Sequence, residues 1–122
     1  MRSPAHDKAY VIIAHGSREA KGNRTFLRVV AKLRSSTRKR LFGAFLDLAA
    51  PSIPEALEQA VDSGAQEVVV VPLMLFPGRH SVQDVPRIVR KTARRHRNIR
   101  FLVKKALAHH PKLLPFLKEI LR

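Results

Sequence analysis

Strand-like and helix-like segments alternate along the whole 122-residue chain. Residues 67–72 (EVVVVP) and 9–14 (AYVIIA) are short, continuous apolar runs, which are typical of strands covered on both faces. Residues 41–48 and 99–103 are two further predicted strands. Helical apolar spacing follows each strand. Because strands that alternate with helices form parallel sheets, the pattern βαβαβαβα predicts an α/β fold with four parallel strands and helices on both faces.

Apolar spacing also predicts which helix faces are buried. On the first helix, from about residue 17, these residues are Phe26, Val29, Val30 and Leu33. On the third helix they are Val85, Ile88, Val89 and Ala93. On the last helix they are Leu113, Leu114, Leu117 and Leu121. The second helix is marked at its start instead, where Ser52 and Glu55 have the spacing of a capping box.

The topology predicts where a functional site lies. Parallel crossovers are nearly always right-handed, which favours the strand order 2-1-3-4. Strands 1 and 3 are then neighbours, and ligands bind beyond the carboxyl ends of strands at such a switch point. The two loops that meet there are HGSR after strand 1 and LFPGRHS after strand 3. We therefore expect His15 and His80 to converge.

Two converging histidines favour a catalytic or metal-binding site. A neutral imidazole is a base near physiological pH and offers a lone pair to a divalent metal. Either histidine alone is equally compatible with a turn residue, whereas the two together at a switch point favour a function. Asp84, four residues after His80, either orients the imidazole or caps the third helix, and the cap is slightly favoured. We predict that His15 and His80 are catalytic residues and metal ligands.

Cations and hydroxyl groups beside the two loops are candidates for binding an anionic substrate. Arg18, Lys21 and Arg79 are the cations nearest the predicted site, and they suit substrate carboxylates. Ser17 and Ser81 add hydroxyl groups and neighbouring backbone amides, although Ser17 is also a candidate N-cap. These five residues are the predicted substrate-binding set.

The charge is unevenly distributed and predicts a polyanionic partner. The formal net charge is +15. Residues 18–40 and 79–105 hold nine and ten Lys or Arg, with one acid each, whereas residues 41–78 hold five acids and no Lys or Arg. Nucleic acid and a small molecule with many carboxylates are both candidates. One Tyr, no Trp and no recognisable reading motif make nucleic acid the weaker candidate.

The remaining composition narrows the class of protein. No cysteine is present, which excludes disulfides and thiolate sites and favours a cytoplasmic protein. No run approaches the roughly 20 apolar residues that a membrane-spanning helix requires, so no membrane partner is expected. We predict a flexible N-terminal tail over residues 1–8, which includes His6, and a single domain over residues 9–122.

Three stretches carry a resemblance to a known family. They are VIIAHGSREAKGN, AFLDLAAPSIPEALEQAVDSGAQEVVVVPLMLFPGRHSVQDVP and LAHHPKLL. In this order they resemble the class II chelatases, and within them the short, single-domain sirohydrochlorin cobaltochelatases of the CbiX type. HGS alone is a weak motif, but HGSR after strand 1 together with FPGRHxxxDVP after strand 3 is specific.

The resemblance implies a reaction and its residues. The reaction is ATP-independent insertion of a divalent metal into the tetrapyrrole sirohydrochlorin during cobalamin or sirohaem biosynthesis. Co²⁺ is favoured as the metal substrate, Ni²⁺ or Fe²⁺ are alternatives, and no prosthetic group is implied. The family histidines, which act as metal ligands and proton acceptors, fall on His15 and His80. The eight carboxylates of sirohydrochlorin would account for basic residues near the site.

The resemblance also implies a homodimer, since the short members resemble half of the two-lobed chelatases. The chain departs from the family pattern at Asp47, where Glu is frequent, and at Ala108, where Gly is common. These departures leave the roles of Asp47 and of the family-like His110 open. Two alternative functions remain: a non-catalytic protein that binds metal or tetrapyrrole, and a basic nucleic-acid-binding domain.

Overall fold

A four-stranded parallel sheet forms the centre of the computed structural model, which describes residues 7–122. The strands are β1 (Lys8–Ala14), β2 (Arg40–Phe45), β3 (Glu67–Pro72) and β4 (Arg100–Val103). The helices are α1 (Ala20–Thr37), α2 (Ile53–Asp62), α3 (Val85–Ala93) and α4 (Leu113–Ile120). The sheet order is β2-β1-β3-β4 and all three pairings are parallel, which confirms the predicted fold class and order.

The start of β1 differs from the predicted boundary between tail and domain. Lys8, which the sequence predicts to belong to the tail, is the first residue of β1 and forms a 3.5 Å ion pair with Glu67 on β3. The preceding Asp7 is buried. The other tail residues, 1–6, including His6, lie outside the residues that the structure describes.

The core lies on both faces of the sheet. Val11 and Ile13 of β1 are fully buried on the face that α2 and α3 cover. Ile12 points to the opposite face and packs with Phe26 and Val30 of α1. This alternation explains why β1 is a continuous apolar run, since successive side chains of a strand point to opposite faces and both are covered.

For α1, two of the four residues that are predicted to be buried are buried. Phe26 and Val30 are buried, whereas Val29 and Leu33 are 44% and 40% exposed. Phe26 and Val30 are four residues apart and form one stripe, while Val29 and Leu33 form a parallel stripe about 60° around the helix. Only the first stripe faces the sheet.

The prediction that α4 buries its leucines is wrong. Leu114 and Leu121 are 67% and 82% exposed, and no residue of α4 is buried. The main packing partner of α4 is the single 3₁₀ turn Leu107–His109 that precedes it. On the face of the sheet that α1 covers, Leu102 of β4 is also 45% exposed. The apolar face of α4 and the outer part of β4 are therefore unpartnered within the described chain.

The start of α2 agrees with the sequence. Ser52 and Glu55 form the predicted capping box at the start of α2, with both reciprocal hydrogen bonds present.

Among residues 7–122, no helix combines the length and the apolar character needed to cross a bilayer.

Candidate functional site

The loop after β1 is fixed to the extension of β2. His15 follows the last residue of β1, and its carbonyl oxygen accepts a hydrogen bond of 3.0 Å from the amide of Asp47. The next residue, Gly16, has φ +93°, and a Cβ atom there would overlap the carbonyl oxygen of Asp47. Position 16 therefore requires glycine for both conformation and space, and this close approach sets the position of His15.

The loop after β3 ends in a π-helical turn over His80–Asp84, directly before α3. The amide of Val85 donates to the carbonyl oxygen of His80, five residues earlier. The amide of Val82 donates to the carbonyl oxygen of Gly78 at 2.9 Å, which joins the turn to the loop. Single π turns are frequent at functional sites, because the extra residue changes the direction of side chains.

Asp84 fixes the orientation of His80. The distance between Nδ1 of His80 and Oδ2 of Asp84 is 2.8 Å, and Arg87 contacts the other carboxylate oxygen at 3.3 Å. An ionised carboxylate only accepts hydrogen bonds, so Nδ1 of His80 is the donor. In the neutral imidazole, the lone pair is then on Nε2.

The two loops meet as the topology predicts. The ring centroids of His15 and His80 are 5.3 Å apart and the rings are nearly perpendicular, at 81°. Both residues are exposed to solvent. The convergence of the two loops is confirmed, and the catalytic and metal-binding roles of the two histidines stay predictions.

Two imidazoles provide at most two of the ligands that a divalent metal requires. Within residues 7–122, no group of three or more His, Cys, Asp or Glu residues could hold a metal ion together. A metal at His15 and His80 would complete its coordination with water or with a bound ligand. Catalytic metal sites likewise keep a coordination position open for water or substrate.

The role of Asp84 corrects the sequence-based preference for a helix cap. The Asp84 side chain makes no capping hydrogen bond to α3. Its φ and ψ of −69° and −49° are already helical, because the π turn precedes α3 without a break. An N-cap side chain requires an extended backbone to reach the amides that follow it. The spacing of four residues from His80 was the signal for the alternative that the structure shows.

The predicted substrate cations lie on the surface near the two histidines in sequence. Arg18, Lys21 and Arg79 are exposed. In the part of the chain that the structure describes, none of the three forms an ion pair. Their charges are available to an anionic ligand, and their assignment to substrate binding stays a prediction.

The two predicted substrate serines form hydrogen bonds that shape their loops. The amide of Ser17 donates to Oδ1 of Asn23 at 3.0 Å, and its Oγ accepts from the amide of Glu19. Oγ of Ser81 accepts from the amide of Gly78 at 3.1 Å. The backbone amide of Ser17 is thus already used within the protein. A substrate role for either hydroxyl group stays a prediction.

Asp47 and His110, whose roles the resemblance left open, both make local bonds. Oδ1 of Asp47 accepts from the amide of Leu48 at 2.8 Å, and Leu48 has a left-handed φ of +67°. Nδ1 of His110 accepts from the amide of Lys112 at 3.1 Å. Both side chains therefore stabilise turns.

Comparison with known proteins assigns the family. The CbiX family model matches residues 9–122, nearly the whole chain. The chain belongs to the CbiX family. The matched range contains both histidine loops of this CbiX domain. It also contains all four strands, except for Lys8 at the start of β1.

Two curated relatives of this CbiX chain are named for different metals. The chain is similar to the chloroplastic sirohydrochlorin ferrochelatase of Arabidopsis thaliana, with 34% identity over 89% of this chain and 49% of the relative. It is also similar to the sirohydrochlorin cobaltochelatase of Priestia megaterium, with 29% identity over 94% of this chain and 38% of the relative. The chain spans about half the length of the first relative and less of the second.

A solved structure of matching extent supports the fold of the CbiX domain. It is a putative cobalamin (vitamin B12) biosynthesis CbiX protein from Marinobacter aquaeolei VT8. The TM-score is 0.79 at 25% identity, and the match covers 93% of both chains. The single-lobed architecture thus occurs in another member of similar length.

Proposed function

We propose that this CbiX chain inserts a divalent metal into sirohydrochlorin without ATP, in cobalamin or sirohaem biosynthesis. The observation that carries the proposal is the facing pair of imidazoles, His15 and His80, at the carboxyl ends of β1 and β3. The family membership and the names of the relatives agree with this reaction. Sirohydrochlorin is the tetrapyrrole that both relatives' names contain.

The reaction requires transfer of the metal ion to the macrocycle and removal of two protons from the pyrrole nitrogens. As a divalent ion enters the macrocycle, two pyrrole N–H protons leave, so the charge balances. The lone pairs of His15 and His80 hold the ion while its water ligands are replaced. Once the ion has passed to the pyrrole nitrogens, these freed lone pairs accept the two released protons. Asp84 keeps Nε2 of His80 available for this step by occupying Nδ1.

Substrate carboxylates meet the cations around the two loops. Arg18, Lys21 and Arg79 are exposed and unpaired by acids of the described chain. Charge-assisted hydrogen bonds from such side chains hold an anionic ligand in one orientation. The hydroxyl groups of Ser17 and Ser81 are secondary contacts in this proposal.

Co²⁺ is the proposed metal substrate, with Ni²⁺ and Fe²⁺ as alternatives. Imidazole nitrogen binds all three ions, so the two histidines do not select among them. One relative is named a ferrochelatase and the other a cobaltochelatase. The metal is therefore an experimental variable in the test of this function.

We further propose that two copies of the chain form a homodimer, in which each copy covers the open histidine site of the other. Both histidines are exposed, and the apolar face of α4 is unpartnered within residues 7–122. The two curated relatives described above are about twice as long or longer, and two copies of this chain would supply the equivalent of two lobes. A cytoplasmic location remains part of the proposal, while the plant relative is named as chloroplastic.

The test is metal insertion measured by absorbance, with sirohydrochlorin and Co²⁺ and a protein-free control for the spontaneous reaction. His15→Ala and His80→Ala are expected to lose insertion while keeping the fold, because both side chains are exposed. His96→Ala, just beyond the far end of α3, is a histidine control that should retain activity, because its ring contacts Glu58 of α2 and neither of the two site histidines. Repeating the assay with Ni²⁺ and Fe²⁺ identifies the metal.

Two results would contradict the proposal. Near-normal insertion by both histidine variants would exclude the two-histidine mechanism. Binding of sirohydrochlorin without insertion of any of the three metals by the unmodified protein would instead indicate a non-catalytic carrier.

A further inference from the structure

A cavity of about 330 Å³ lies beside the π-helical turn, at the carboxyl ends of the strands. Val82, Pro86 and Val103 contribute apolar walls, and Ser81, which also lines the cavity, directly follows His80 in the sequence. Lys104 and Lys105, which follow β4, also line it. The cavity thus combines an apolar interior with two cations.

Backbone hydrogen bonds fix the segment that carries the two lysines. The amide of Lys104 donates to the carbonyl oxygen of Val70 at 2.8 Å, and the amide of Leu107 donates to that of Met74 at 2.9 Å. The segment after β4 therefore runs along the segment that leads to His80. This attachment keeps the two lysines at a fixed place relative to the histidine loop.

Among the residues that the structure describes, no acid lines this cavity to neutralise the lysines. Both lysines are exposed, and neither forms an ion pair with any residue in the described range 7–122. The one acid between residues 79 and 105 is Asp84, whose carboxylate already contacts His80 and Arg87. An anion at the lysines would meet no repulsion from a lining carboxylate.

The cavity is large enough for only part of a tetrapyrrole. Pockets for small molecules span about 300–1,000 Å³, so this cavity is at the small end and suits a side chain better than a whole tetrapyrrole. A carboxylate on a short aliphatic stem matches both the apolar walls and the cations. Side chains of this kind surround the macrocycle that the proposed function places at His15 and His80.

We propose that this cavity binds one peripheral aliphatic carboxylate of the tetrapyrrole, with Lys104 and Lys105 as its ionic partners. The inference rests on the proposed function for the identity of the ligand. It adds two specificity-determining residues on β4's side of the site, and it sets the rotational position of the macrocycle above the two histidines.

The test compares two double variants that remove the same charge. Lys104→Gln/Lys105→Gln removes the two cations of the cavity, and Lys32→Gln/Lys91→Gln removes two exposed cations from α1 and α3. The KM for sirohydrochlorin is measured at saturating Co²⁺, and the affinity for metal-free sirohydrochlorin is measured by absorbance titration. The cavity variant should raise KM and weaken binding about tenfold with little change in kcat, as expected for two partly exposed ion pairs.

A third variant tests the cavity without removing a lysine. Val82→Asp places a negative charge on an exposed wall residue and is also expected to raise KM. Equal KM and equal affinity for the two double variants would overturn the assignment, as would a loss confined to kcat.

The titration separates this proposal from the proposed function. If the unmodified protein binds sirohydrochlorin but inserts no metal, the chelatase function fails while the two double variants still decide the cavity. If the unmodified protein does not bind sirohydrochlorin, the assignment of this cavity is wrong.

Discussion

Asp84 shows how one side chain outside the histidine pair fixes the orientation of a ring within that pair. Its carboxylate contacts Nδ1 of His80 at 2.8 Å and is itself held by Arg87. Histidines that bind metals commonly make such a contact through the ring nitrogen that is not on the metal, and the carboxylate then fixes the tautomer and the ring orientation. Asp84 is therefore a positioning residue.

Replacing Asp84 tests this role. Asp84→Ala is expected to lower kcat for metal insertion by about 10- to 100-fold, the range observed when such carboxylates are removed. KM for sirohydrochlorin should change little, because Asp84 faces His80. Asp84→Asn should recover part of the activity, since an amide oxygen can accept the same hydrogen bond. An equal loss of kcat in both variants would indicate that the hydrogen bond to His80 does not contribute to metal insertion.

At the scale of elements, an ionic cluster joins α2 to the segment between α3 and β4. Oε2 of Glu58 accepts from Arg95 at 2.9 Å, and Oε1 contacts Nε2 of His96 at 2.8 Å. The hydrogen bond from Arg95 is the largest cause that holds the pKa of Glu58 below its ordinary value of 4.5, and the contact with His96 acts in the same direction.

This lowered pKa gives a pH dependence of stability with a definite sign. A carboxylate whose pKa is lower in the folded state stabilises the fold above its unfolded pKa, and this contribution is lost as the pH falls through the folded value. Glu58→Gln should therefore lower the free energy of unfolding near neutral pH by less than about 1 kcal/mol, because the cluster is partly exposed. The difference from the unmodified protein should disappear in strong acid.

Urea unfolding at several pH values measures this effect, with Asp62→Asn on the same helix as the control. The control should leave the difference between neutral and acidic pH unchanged. A Glu58→Gln variant that follows the unmodified protein at every pH would show that the cluster does not couple α2 to the segment between α3 and β4.

At the scale of the whole molecule, the unpartnered face of α4 predicts the oligomeric state. Leu114 and Leu117 are 67% and 39% exposed on a helix without a buried residue. Exposed apolar patches of this kind mark protein interfaces. Leu114→Asp/Leu117→Asp should halve the mass measured by light scattering and leave the monomer folded, because these side chains make few contacts within their own chain.

Lys118→Asp introduces the same residue on a polar position of α4 and should leave the dimer intact. If the unmodified protein is a monomer at micromolar concentration, the dimer proposal fails. If the double variant is monomeric and retains full insertion activity, the second copy does not complete the site.

The sheet, its order and the meeting of the two histidine loops could all be predicted from the sequence. β3 is bounded as expected because four consecutive valines between Glu67 and Pro72 leave little alternative to a buried strand. The burial of α4 could not be predicted, because apolar spacing shows that a helix has an apolar face but not what covers that face. The hydrogen bond of Asp84 also could not be decided, since it depends on the π turn that sequence periodicity does not reveal.

That π turn makes the site sensitive to chain length as well as to residue identity. A π turn equals an α-helical turn with one residue inserted. Removing one residue between His80 and Asp84 would merge the segment with α3 as a regular helix, and each residue of an α-helix advances by about 100°. His80 would then leave the side of the molecule that faces His15, although both histidines and Asp84 would still be present. Alignments of related chains should therefore show substitutions in this segment more readily than deletions.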